Sequence, residues 1–97
     1  MSAAQEKSSR IIVSVIGRDR VGIIAAVSAV LAGANANILD ISQSVMDEFF
    51  VMIMMADIGQ ASMSLAELKQ RLQSKGEEMG LKIDAQHEDV FHFMHRI

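Results

Sequence analysis

The chain predicts a single α+β domain, a four-stranded antiparallel sheet with two helices on one face, and three observations predict it. Residues 10–16 and 49–58 are apolar at both parities, as inner strands are. Residues 21–34 and 64–79 carry apolar side chains at helical spacing. Residues 81–88 alternate apolar and polar, the pattern of a half-buried strand.

Each element follows in order. Residues 1–9 read as a flexible polar leader, and 10–97 as one domain. The first strand, RIIVSVI, is rich in β-branched residues and is broken by Gly17-Arg18-Asp19-Arg20. The first helix places Ile24, Val27, Leu31 and Ala34 on one stripe, widened by Ile23 and Val30. Asp19 is expected at the N-cap or just before it, and Asn35 in the left-handed position after the helix. The second strand, NILDISQSVM, has a mixed pattern, with Leu39, Ile41 and Val45 on one parity and Ile38 on the other, so an irregularity is expected near its start. Asp47-Glu48 makes a tight turn into the third strand, FFVMIMMADI. A strand apolar on both sides is expected to be buried on both faces, or to meet another chain.

Ser64-Leu65-Ala66-Glu67 is a capping box opening the second helix, with Leu65, Leu68, Leu72 and Met79 on one face. Gly76 weakens that helix and Gly80 ends it. Leu81, Ile83 and Ala85 then point inward from the fourth strand. Val90, Phe91, Met94 and Ile97 suggest a short C-terminal helical turn that packs back on the domain. The order is βαββαβ, the ferredoxin-like plan.

Composition narrows the function. In 97 residues the formal net charge is −3 and the only aromatics are four Phe. That argues against a nucleic-acid partner, which needs a basic face or stacking aromatics. No cysteine is present, so disulfides, thiolate metal sites and a cysteine nucleophile are excluded. The start shows no apolar core of signal-peptide length and no run reaches membrane-spanning length, which suits a cytoplasmic protein. His87, His92 and His95 lie close in sequence, but without a fixed third ligand they read as surface or packing residues, and no metal or other cofactor is expected. Met52, Met54 and Met55 on an apolar strand read as core or interface filling, not as a copper site. No nucleophile–base pair, Walker loop or dinucleotide fingerprint is seen, so the chain is not expected to be an enzyme.

The informative spot is the first strand–helix junction, Gly17-Arg18-Asp19-Arg20-Val21-Gly22-Ile23. A helix start offers unpaired amides and a partial positive charge, suited to a carboxylate or phosphate. Gly22 lets a ligand or a neighbouring backbone approach. Asp19 could receive an ammonium group, and Arg18 and Arg20 an anion. The plainer alternative is that Asp19 only caps the helix and Gly22 only permits close packing. Asn37 likewise either closes an Asx-type turn or meets a ligand. Asp40, Ser42 and Ser44 share a parity and read as a solvated edge or the polar lining of an interface.

This junction, followed by Ala34-Asn35-Ala36-Asn37-Ile38-Leu39-Asp40-Ile41-Ser42-Gln43, resembles the signature of ACT domains. The resemblance covers about residues 10–90, and the pair of motifs is more specific than either alone. The tail Met94-His95-Arg96-Ile97 is similar to that of small stand-alone ACT proteins of bacteria and archaea, and the chain also resembles one ACT unit of the glycine cleavage system repressor. The resemblance implies a regulatory domain that works as a homodimer or larger homo-oligomer and binds a small-molecule effector, commonly an amino acid, near a subunit boundary. It implies ligand contacts from Asp19, Arg20, Val21, Gly22 and Ile23 of one chain, with Asn35, Asn37 and Ile38 near the other side. Val21 stands where the family often has Pro, so the φ angle of the turn is not preset. A regulated protein partner fits the same picture. The alternative is an oligomerisation or interaction module that binds no ligand.

Overall fold

A computed structural model describes residues 9–90. Residues 1–8 of the expected leader, and Phe91, His92, Met94, His95 and Ile97 of the expected tail, lie outside them. The elements are β1 (Arg10–Arg18), α1 (Ile23–Gly33), β2 (Asn37–Met46), β3 (Phe49–Asp57), α2 (Leu65–Met79) and β4 (Leu81–His87). Residues 88–90 begin a helical turn. The sheet order is β2-β3-β1-β4, antiparallel throughout, with β1 paired to both β3 and β4: the ferredoxin-like arrangement.

Alternation along the strands sets which residues face the helices. Ile11, Val13 and Val15 of β1 lie on the covered face with Phe50, Met52, Met54 and Ala56 of β3 and Leu81, Ile83 and Ala85 of β4, all buried. Ile23, Val27 and Leu31 of α1 and Leu68 and Leu72 of α2 close over them. Truncating a fully buried member such as Leu72 to Ala would cost about 2–5 kcal/mol. Gly76 serves packing: a Cβ there would sit 2.7 Å from the Leu81 carbonyl oxygen, so α2 runs close against β4 because that position is bare.

Two local expectations are refined. The third strand is not buried on both faces: Phe50 and Met52 point to the helices, whereas Phe49 and Ile53 on the other face are exposed. The register slips between Ile38 and Asp40, so Leu39 is the extra residue of a bulge. Ile38 thereby joins Ile41 and Val45 on the helix side, paired with Ala56, Met54 and Phe50, and does not oppose them as strict alternation suggests.

Candidate functional site

The site grows from the exit of β1. After Arg18 the chain turns through Asp19 to Gly22 and enters α1. The amide of Asp19 donates to the Glu48 carbonyl at 2.9 Å, and Arg18 Nη2 lies 3.3 Å from Glu48 Oε2, which ties this loop to the turn between β2 and β3. Arg20 Nη1 donates to the Met79 carbonyl at 3.2 Å, against the end of α2. Both arginines expected to hold an anion therefore already have protein partners, and a ligand would share or displace them.

The N-cap of α1 is Gly22, in the left-handed region at φ 93°, and not Asp19. The reason is chain geometry: Asp19 and Arg20 follow β1 without regular structure, Val21-Gly22 make the turn, and the helix starts only at Ile23. Among the described residues no side chain caps this helix and no acidic residue lies in its first turn. The first intrahelical bond here runs from the Ala26 amide to the Gly22 carbonyl, which leaves the preceding amides at the α1 entrance without an intrahelical acceptor.

Asp19, Arg20, Gly22, Ile23, Ile24, Ala25 and Phe50 line an open pocket of about 370 Å³ at this entrance. Four of the residues expected at the site are brought together there. Val21 is not in the lining; it is 96% exposed at the loop tip. Asn35, Asn37 and Ile38 lie at the opposite end of α1 and do not reach the pocket within one chain. Asn35 has φ 59°, the left-handed position expected of it, and its Nδ2 donates to the Gln60 carbonyl at 2.8 Å. Asn37 and Ile38 are the first residues of β2, paired with Asp57 and Ala56.

Ile24, Ala25 and Phe50 were not anticipated. Ile24 and Ala25 follow from the loop once the helix start is fixed. Phe50 enters through strand register, opposite Gly17, a long-range pairing that local spacing does not encode. A larger open groove of about 590 Å³ runs between α1 and α2, lined by Ala29, Gly33, Arg71, Lys75 and neighbours. Its charged side chains pair with one another, Glu67 with Arg71 and Lys75 with Glu78, and Gln70 and Ser74 also line it. Of the histidines only His87 is described, at the end of β4, where its Nδ1 accepts from the Asp89 amide.

The ACT domain profile matches residues 9–86. A UPF0237 protein of Methanocaldococcus jannaschii is 57% identical over 89 residues, covering 92% of this chain and 99% of that protein. An ACT domain protein from Streptococcus pneumoniae superposes with a TM-score of 0.76 at 32% identity, covering 88% of this chain and 96% of that one. The regulatory subunit of aspartate kinase from Thermus thermophilus shares the fold, with a TM-score of 0.62 at 21% identity over 82% of this chain and 52% of that one. ACT domains are regulatory small-molecule-binding modules, and among the described residues no helix is long and apolar enough to cross a membrane. A profile match over most of the chain and a relative of matching length with more than half its residues identical give one conclusion: this chain belongs to the ACT domain family, in its UPF0237 branch.

Proposed function

We propose that the chain is a cytoplasmic sensor that binds an amino-acid-like effector at the entrance of α1, in a site completed by a second copy of itself. One observation carries this reading: an open, mostly apolar pocket at the entrance of a helix that no side chain caps, with Asp19 among its lining residues. The amides and helix dipole suit the carboxylate of a zwitterion. The Asp19 side chain suits its ammonium, and Ile23, Ile24 and Phe50 give an apolar seat for a side chain. A volume of about 370 Å³ is ample for one amino acid.

The residues at the far end of α1 support the second copy. Among the described residues the outer edge of β2 has no strand beside it, since β2 ends the sheet, and β2 carries neither Pro nor Lys to block pairing. Met46, Phe49 and Arg18 form one cross-strand row next to the loop, while Asn37, Asp57 and Arg10 form the row at the other end. If two copies pair antiparallel along β2, the partner's Asn37 and Ile38 come alongside Met46, beside the first chain's Asp19 loop. A ligand there would touch both chains and bias their placement, which is the physical basis of a regulatory response.

Thermal unfolding of the full chain with each of the twenty amino acids tests the reading. A binding effector raises the melting temperature by mass action, and Asp19→Ala removes that rise. Association that persists with no shift across the panel would instead favour a ligand-free interaction module.

A further inference from the structure

We infer that the open face of the sheet is a second docking surface for another copy of this chain, sheet against sheet, distinct from the β2 edge. This face lies opposite the helices. Its centre is apolar: Ile12 and Ile16 from β1, and Phe49, Val51, Ile53 and Met55 from β3. Ile16 is 50% exposed, Phe49 48% and Ile53 44%, and Met46 of β2 adds a side chain that is 62% exposed. Together these side chains leave roughly 500 Å² of apolar surface uncovered, near the upper end of the largest patch a monomer carries, about 300–600 Å². With its polar rim the face approaches the ~800 Å² per partner that a stable interface buries.

The occupant follows from the rim. Cross-strand rows run Asp40–Met55–Ile12–Gln86, then Ser42–Ile53–Ser14–Asp84, then Ser44–Val51–Ile16–Lys82. The apolar band is thus flanked by Asp40, Ser42 and Ser44 on one side and Gln86, Asp84 and Lys82 on the other. A two-fold axis along the strands, between β1 and β3, lays the β2 rim of one copy over the β4 rim of the other. Asp40 then faces Gln86, Ser42 faces Asp84 and Ser44 faces Lys82, so every charged rim group meets an uncharged hydrogen-bonding one. An axis across the strands through the middle row would put Asp84 over Asp84, a like-charge contact that costs stability. Aligned sheets pack about 10 Å apart with strands crossing at about 30°, which keeps these rows in reach. The chain's own C-terminal segment, which leaves β4 at His87 beside Ile11, is the competing cover that the experiment below separates.

Light scattering on the full chain decides this. Ile53→Arg and Ile16→Arg should each halve the mass of the wild-type assembly while far-ultraviolet circular dichroism stays unchanged, and Gln70→Arg on the exposed side of α2 should leave the mass alone. A wild-type monomer, or folded Ile53→Arg and Ile16→Arg variants of undiminished mass, overturns the inference. So does a monomer that dimerises only when residues 91–97 are removed, since that gives the face to the chain's own tail. The orientation has its own readout, because the chain lacks cysteine and takes clean single labels. Spin labels on Ser42→Cys copies mixed with Asp84→Cys copies should lie closer than labels on two Asp84→Cys copies, and the reverse order rejects the strand-parallel axis. Effector binding can fail without touching these outcomes, because the α1 pocket lies on the helix side of the sheet.

Discussion

The two helices of this domain begin differently. Ser64 opens α2 from an extended conformation, and its Oγ accepts from the Glu67 amide at 3.2 Å. Glu67 also supplies an acidic group in the first turn, where the dipole favours it. α1 has neither device: its N-cap is a left-handed glycine, with no capping side chain and no acid in the first turn among the described residues. Both starts satisfy the chain's need for a turn, but only α2 supplies its own partners. A helix entrance that lacks them and opens into a pocket beside a carboxylate has capacity left for a ligand; the entrance of α2 has little.

Between the two helix starts, the largest effect should come from Gly22→Val. A β-branched residue at φ 93° is strained by about 2 kcal/mol, and the substitution should lower stability by that amount and remove the effector's thermal shift. Gly22→Asn tolerates the left-handed region better and should recover much of the stability, which separates backbone strain from crowding of the pocket. Next comes Ser64→Ala at α2, expected to cost about 1 kcal/mol, or about 4–8 °C in melting temperature for a domain of this size. Effector binding should survive it. Loss of binding in Ser64→Ala with retention in Gly22→Val would reverse the assignment of roles to the two helix starts.

Acid should act on the α2 side. Asp57 precedes the loop into α2, where its Oδ1 accepts from the Gly59 amide and the Ser9 hydroxyl, both at 2.7 Å. Those two bonds, with Arg10 nearby, hold its carboxyl below the usual carboxylate value despite some burial. Asp84 on β4 is pushed up by burial, but bonds from Gln86 and Ala85 and the neighbouring Lys69 more than offset it, and it too lies low. A carboxylate whose pKa is lower folded than unfolded stabilises fully above about pH 4 and loses that contribution as pH falls through its folded value. Denaturation midpoints measured from pH 6 downward should therefore drop in acid, and Asp57→Asn should make the drop shallower. An unchanged acid slope in that variant would remove Asp57 from the account.

Much of this was legible in the chain itself. The Ser64 cap of α2, the irregularity near the start of β2, the left-handed Asn35 and the alternation of β4 are local signals, and each appears where its residues stand; of the capping box only the Ser64 half forms, since the Glu67 carboxylate pairs with Arg71. The α1 entrance was legible as a place but not in detail. Asp19 reads as a cap because it precedes a helical stripe, yet the turn at Val21-Gly22 moves the cap three residues on. Phe50 joins the pocket through pairing with Gly17, and the other face of β3 is open because both helices lie on one side of the sheet; both are consequences of assembly that no single window of sequence contains.

The smallest stability effect should accompany one of the largest losses of binding, and that makes Asp19→Ala the sharpest comparison with α2. The side chain of Asp19 is exposed, caps nothing and has no hydrogen bond or ion pair among the described residues, so its removal should change unfolding free energy by less than about 0.5 kcal/mol. Its backbone amide still holds Glu48, so the loop stays in place. A carboxylate with no structural duty beside an uncapped helix start is what a site for a zwitterion needs, and calorimetric titration of the effector found in the amino-acid panel should show binding lost in Asp19→Ala and kept in Ser64→Ala. If instead Asp19→Ala unfolds the domain, the carboxylate serves the fold, and α1 is held at its start as α2 is.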